Sequence, residues 1–104
     1  MKISTLDINT KEWTDKKYGN TYFSSQITIN YGMKTEKTVY LPMQYGYGSH
    51  AEDMAKKKLI ELKLMRKPKS DFLGLHNLCS KRKIVLRTNY SDDLKRNVVA
   101  WGNE

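Results

Sequence analysis

A chain of 104 residues fits one hydrophobic core and leaves no room for a second independent one, and its 38% apolar content argues against general disorder. No stretch reaches the roughly 20 apolar residues of a membrane span, Met1–Leu6 holds no leader-type apolar run, and the lone Cys79 excludes an internal disulfide, so a cytoplasmic protein is expected. The net charge of +8 is uneven: residues 1–55 hold six basic and six acidic side chains and residues 56–104 hold thirteen and five, an asymmetry that favours polyanionic partners.

The first 48 residues read as three strands, because apolar residues recur with period two between turn residues. Ile3, Leu6, Ile8 and Trp13 mark a first strand whose spacing implies an irregularity. Asp15–Asn20 is a turn in which Gly19 and Asn20 accommodate positive φ. In the second strand Phe23, Ser25, Ile27, Ile29 and Tyr31 alternate with Tyr22, Ser24, Gln26, Thr28 and Asn30, giving one oily and one polar face. A turn around Gly32 leads to a third strand, Thr38–Met43, with Val39, Leu41 and Met43 on one side. Pro42 has no N–H for a ladder, which places this strand at an edge or a bulge.

Ser49-His50-Ala51-Glu52 matches a capping box, in which two side chains each satisfy a backbone donor at a helix start. Ala51, Met54, Ala55, Leu59, Leu62 and Met65 follow at helical spacing and form a stripe for the oily sheet face. Arg66-Lys67-Pro68 ends that helix. Ser70 caps a short second helix carrying Phe72, Leu75 and Cys79, and two strand-like runs follow, Lys83–Asn89 and Asn97–Trp101, joined by Tyr90–Leu94. The expected fold is a single α+β domain over 1–104: an antiparallel sheet of three N-terminal strands packed against one main helix, then a short helix and one or two C-terminal strands.

From Lys56 through Arg87 eleven Lys or Arg stand against only Glu61 and Asp71. Lys56 and Lys57 have acidic residues four positions earlier, Glu52 and Asp53, and serve to solvate a helix face. Lys63, Arg66, Lys67, Lys69, Lys81, Arg82, Lys83 and Arg87 have no such neighbour and are the expected nucleic-acid contacts, to DNA or RNA. Tyr45-Gly46-Tyr47-Gly48 marks the strand-to-helix junction; it reads as a structural turn or as a binding loop, with Tyr45 and Tyr47 the candidates for a protein interface. His76 and Cys79 are three residues apart and His50 is the only other histidine, which falls short of a four-ligand zinc site, so neither metal nor cofactor is expected. Asp93-Leu94-Lys95 has the acid-x-lysine spacing of some metal-dependent nucleases, with Asp71 a distant second acid. The same spacing recurs at Glu61-Leu62-Lys63 and Asp15-Lys16-Lys17, so the motif has no specificity and the chain is expected not to be an enzyme.

Gly19-Asn20-Thr21-Tyr22 followed by Leu41-Pro42-Met43-Gln44-Tyr45-Gly46-Tyr47-Gly48 resembles a widespread group of small, uncharacterised bacteriophage proteins with a Gly-Asn-Thr-Tyr strand start and a Pro-x-x-Tyr-Gly-Tyr-Gly junction. The resemblance covers the middle of the chain; it implies a phage or prophage origin and a host-cell cytoplasm, and carries no activity over. The order strand, strand, strand, helix with a Gly-x-Gly approach is also similar to the later part of a double-stranded RNA-binding domain, whose helix begins with paired lysines before x-Ala-Lys. Ala55-Lys56 matches that pattern, whereas Glu52 and Asp53 stand where the paired lysines belong and the leading helix of that family is missing, so this resemblance implies topology and not RNA contacts. The expected function is a non-enzymatic phage accessory protein that binds nucleic acid through its basic C-terminal half. The alternative is a phage anti-defence protein of anti-CRISPR type, a stoichiometric inhibitor of a host protein or nucleoprotein complex.

Overall fold

The structure is a computed structural model that describes residues 2–69 and 73–103. In chain order its elements are β1 (Thr5–Thr14), β2 (Thr21–Ile29), β3 (Lys37–Tyr45), α1 (His50–Glu61), α2 (Leu75–Lys81), β4 (Val85–Asp92) and α3 (Lys95–Trp101). The first three strands form an antiparallel meander, and β4 adds to the far side of β1 in parallel, so the sheet is mixed with order β3-β2-β1-β4. The α+β class holds, and Pro42 does lie on an edge strand, β3.

Strand alternation sends Leu6, Ile8 and Thr10 of β1 to one face, against Ile29, Ile27 and Ser25 of β2 and, beyond them, Val39 and Leu41 of β3. Ala51, Ala55 and Leu59 of α1 and Leu75, Leu78 and Cys79 of α2 close over that face with Phe23 to form the core. Each large side chain removed from water there contributes about 1.5–3 kcal/mol. The other face is polar, carrying Asp7, Asn9, Lys11, Ser24, Gln26 and Thr28, and α3 crosses part of it. Val98 is fully buried beneath that helix, Ser24 Oγ donates to the Val98 carbonyl at 2.5 Å, and Trp101 Nε1 donates to the Asn9 carbonyl at 2.9 Å.

Several expectations are corrected. Asn97–Trp101 is helical: Val98 and Trp101, three residues apart, both turn to the sheet, whereas Val99 is exposed. Only one C-terminal strand therefore forms, and three helices are present among the described residues. The first strand carries no irregularity, since its register with β2 runs unbroken from Leu6↔Ile29 to Thr14↔Thr21; Trp13 is out of phase with Leu6 and Ile8 because it belongs to the opposite face. The register shift lies instead between β2 and β3, at Phe23/Ser25. Ser49 has right-handed helical torsions and makes no side-chain cap, while the Glu52 side chain turns away to Tyr90 and His76, so the capping box does not form. α1 stops at Glu61, before Arg66, because Lys63 takes a left-handed φ of 60°; Leu62 is left outside, and Met65 is buried from the loop. α2 begins at Leu75, with Gly74 preceding it, and the expected cap Ser70 and Phe72 lie outside the described residues.

Candidate nucleic-acid interface

Both core helices end in the same way. At α1 the Leu64 N–H donates to the Leu59 carbonyl and the Lys63 N–H to the Ile60 carbonyl; at α2 the Ile84 N–H donates to the Cys79 carbonyl and the Lys83 N–H to the Ser80 carbonyl. These are Schellman closures, and in both the left-handed position, where glycine is favoured, holds a lysine: Lys63 at φ 60° and Lys83 at φ 58°. A non-glycine residue there costs on the order of 1 kcal/mol, so the two lysines are held in place by the apolar residue that follows each, Leu64 and Ile84, which packs against the core.

The two closures meet. Lys2, Ile3, Leu64, Met65, Arg66, Arg82 and Ile84 line one cleft of about 440 Å³, so three cations and four apolar side chains share it. Lys63, Lys81 and Lys83 flank these residues in sequence and are exposed. None of these six cations has a carboxylate within ion-pair distance among the described residues, and Glu61, the nearest acid along α1, is 3.9 Å from Lys58. Lys2 could not be picked out from sequence because the other cations of the cleft, Arg66 and Arg82, lie more than sixty positions away.

The remaining predicted contacts spread out. Lys67 lines a separate cleft with Lys56, Lys57, Ile60, Pro68 and Leu73, and Lys69 is exposed beyond it. Lys56 donates to the Leu73 carbonyl at 2.7 Å and does not pair with Glu52. Arg87 stands on the polar face of the sheet, where Nε and Nη2 donate to the two carboxylate oxygens of Asp7 at 2.6 and 3.0 Å. This bidentate pair sets Arg87 apart from the cations of the cleft, which have no such partner among the described residues. Tyr45 and Tyr47 are 61% and 69% exposed and border another cleft, of about 410 Å³, with Gly46, Ser49, His50 and Asp53. Gly46 itself is structural: at φ 147° a side chain there would strike the His50 ring and Phe23.

The acid-rich motifs resolve into scaffold contacts. Asp93 Oδ2 accepts from Lys11 Nζ at 2.8 Å and Oδ1 from Asn97 Nδ2 and the Leu94 N–H, which holds its carboxyl far below the usual carboxylate range. Lys95 points away from it, over the Trp13 ring. Glu52, nearly buried, receives the Tyr90 hydroxyl and meets His76 Nε2; burial, and then this hydrogen bond, push the Tyr90 hydroxyl well above its ordinary value. Cys79 is buried, and burial pushes its thiol up. Among the described residues no three His, Cys, Asp or Glu side chains gather as a metal-holding group, and no helix is long and apolar enough to cross a membrane. Comparison of the chain with protein-family models, with curated proteins and with solved structures gave no match.

Proposed function

We propose that this is a non-enzymatic binder of nucleic acid and that the basic edge around the ends of α1 and α2 is its phosphate-contacting surface. The observation that carries this reading is the convergence of Lys2, Arg66 and Arg82 on one cleft, flanked by Lys63, Lys81 and Lys83, with no carboxylate in ion-pair distance of them among the described residues. Cations left unpaired on a folded surface gain most from a polyanion, because each phosphate neutralised releases condensed counterions. A phage accessory role fits such a module, and an anti-defence target that is itself a nucleoprotein would engage both this edge and the exposed Tyr45 and Tyr47.

The test is an anisotropy titration of a mixed-sequence DNA or RNA oligonucleotide over a range of salt. Affinity should fall steeply, with a slope of log K against log salt of about −0.9 per phosphate contact on a duplex. Replacing Lys81, Arg82 and Lys83 together with glutamate should abolish binding and leave the melting temperature nearly unchanged, since exposed charges contribute little to folding. Undetectable binding at low salt, or a triple variant that binds like the native chain, overturns the reading.

A further inference from the structure

At the end of the sheet remote from the basic cleft, three aromatic side chains stand in direct cross-strand register on the polar face: Trp13 of β1, Tyr22 of β2 and Tyr45 of β3. Trp13 stacks on Tyr22 with ring centroids 5.8 Å apart and planes at 28°, and Tyr22 meets Tyr45 edge-on at 5.8 Å. The row starts at a cation, Lys95 Nζ lying 5.4 Å above Trp13, and Lys17 Nζ lies 5.2 Å over the exposed ring of Tyr18 in the neighbouring turn. Its other end is open, because Tyr45 is 61% exposed and forms a wall of the cleft that Tyr47, Ser49, His50 and Asp53 complete. Asp93, two positions before Lys95, is tied to Lys11.

A row of this composition does not serve the core, which lies on the other face, and it meets α3 through Lys95 over Trp13, whereas the buried contact of α3 is Val98. The exposed Tyr45 ring at the open end of the row, with lysines over Trp13 and Tyr18, offers what an unpaired base and its flanking phosphates require: the base stacks, and lysines neutralise the backbone. Asp53 at the open end offers a carboxylate that can accept N–H from a base edge. Duplex DNA or RNA keeps its base faces covered and offers nothing to such rings.

We propose that the row Trp13–Tyr22–Tyr45, with the cleft at Tyr45 and Tyr47, is a stacking platform for single-stranded nucleic acid. The inference rests on the nucleic-acid reading above and adds to it a preference for unpaired strands that the basic edge alone does not produce.

The experiment compares three probes of equal length, a mixed-sequence single strand, its duplex and an abasic strand with the same phosphates. They are titrated against the native chain, Tyr45→Ala, Tyr45→Phe and the Lys81/Arg82/Lys83 glutamate variant, each checked for a native-like melting temperature. The native chain should bind the single strand at least tenfold more tightly than the abasic strand. Tyr45→Ala should lose about tenfold on the single strand and almost nothing on the duplex or abasic probe, and Tyr45→Phe, which keeps the ring, should stay within about twofold of native, as stacking of one base on one ring implies. Trp13 offers a second readout, quenching of tryptophan emission by the single strand and not by the abasic one. Equal affinity for single and abasic strands, or Tyr45→Ala binding the single strand like native, overturns the platform while leaving the basic edge standing. Failure of every probe to bind overturns both proposals.

Discussion

The two faces of the sheet are covered by different physics. Over one face α1 and α2 bury a continuous apolar layer from Leu6 to Leu78; over the other α3 buries Val98 and relies on hydrogen bonds to Ser24, Gln26 and Asn9. Apolar burial is non-directional and scales with area, whereas a hydrogen bond nets only about 0.5–1.5 kcal/mol against water. The first cover holds the fold together. The second is a latch that keeps the polar face partly closed, and its loss should be local.

The strongest challenge to that contrast is Phe23→Ala. Phe23 is fully buried between the sheet and the start of α1, edge-on to His50, and truncation should cost about 3–5 kcal/mol. Chemical denaturation should show the whole domain lose stability in one transition; a variant that lost only α1 would break the picture of a single cooperative core. Gly102→Ala should come next. A Cβ there would lie 2.5 Å from the Leu41 carbonyl oxygen and 2.8 Å from Pro42 Cα and Ser24 Cβ, so backbone must move, at a cost of about 1–3 kcal/mol. Hydrogen exchange should show the Trp101 indole N–H, bonded to Asn9, lose protection while amides of β1 and β2 keep theirs. Uniform loss across the sheet would instead make α3 part of the core. The smallest effect is expected from Ser24→Ala, which deletes one buried hydrogen bond to the Val98 carbonyl and should lower stability by about 1 kcal/mol, read as a modest fall in melting temperature.

Sequence patterning carried the meander and the main helix, because β2 alternates over a long run and α1 repeats its apolar positions over several turns. It failed at α3, where the adjacent Val98 and Val99 favour a strand by propensity and a segment of seven residues is too short for periodicity to decide. Trp13 breaks the alternation of Leu6 and Ile8 because it belongs to the opposite face; its partners Tyr22 and Tyr45 become visible as a row once the register is known. At the basic edge the cations were countable but their convergence was not, since Lys2, Arg66 and Arg82 meet through the ends of three separate elements. Arg87 was set apart from them by strand alternation and by Asp7, a partner 80 positions away. Glu52 has the residue type and spacing of a cap, and only the fold brings it Tyr90, 38 positions on.

The parallel placement of β4 beside β1 has a consequence for how the chain acquires its shape. β1, β2 and β3 complete their pairings within the first 45 residues, through two short reversals that close quickly. The other edge of β1 waits for Val85–Asp92, after both core helices have crossed over. Loop closure over such a separation is slow and precedes any reward from the contacts it makes. Until it happens, the strand at the centre of the finished sheet presents an unpaired row of backbone donors and acceptors beside Leu6 and Ile8. The interval between synthesis of β3 and arrival of β4 is therefore the period in which this protein is most exposed to strand exchange with other chains.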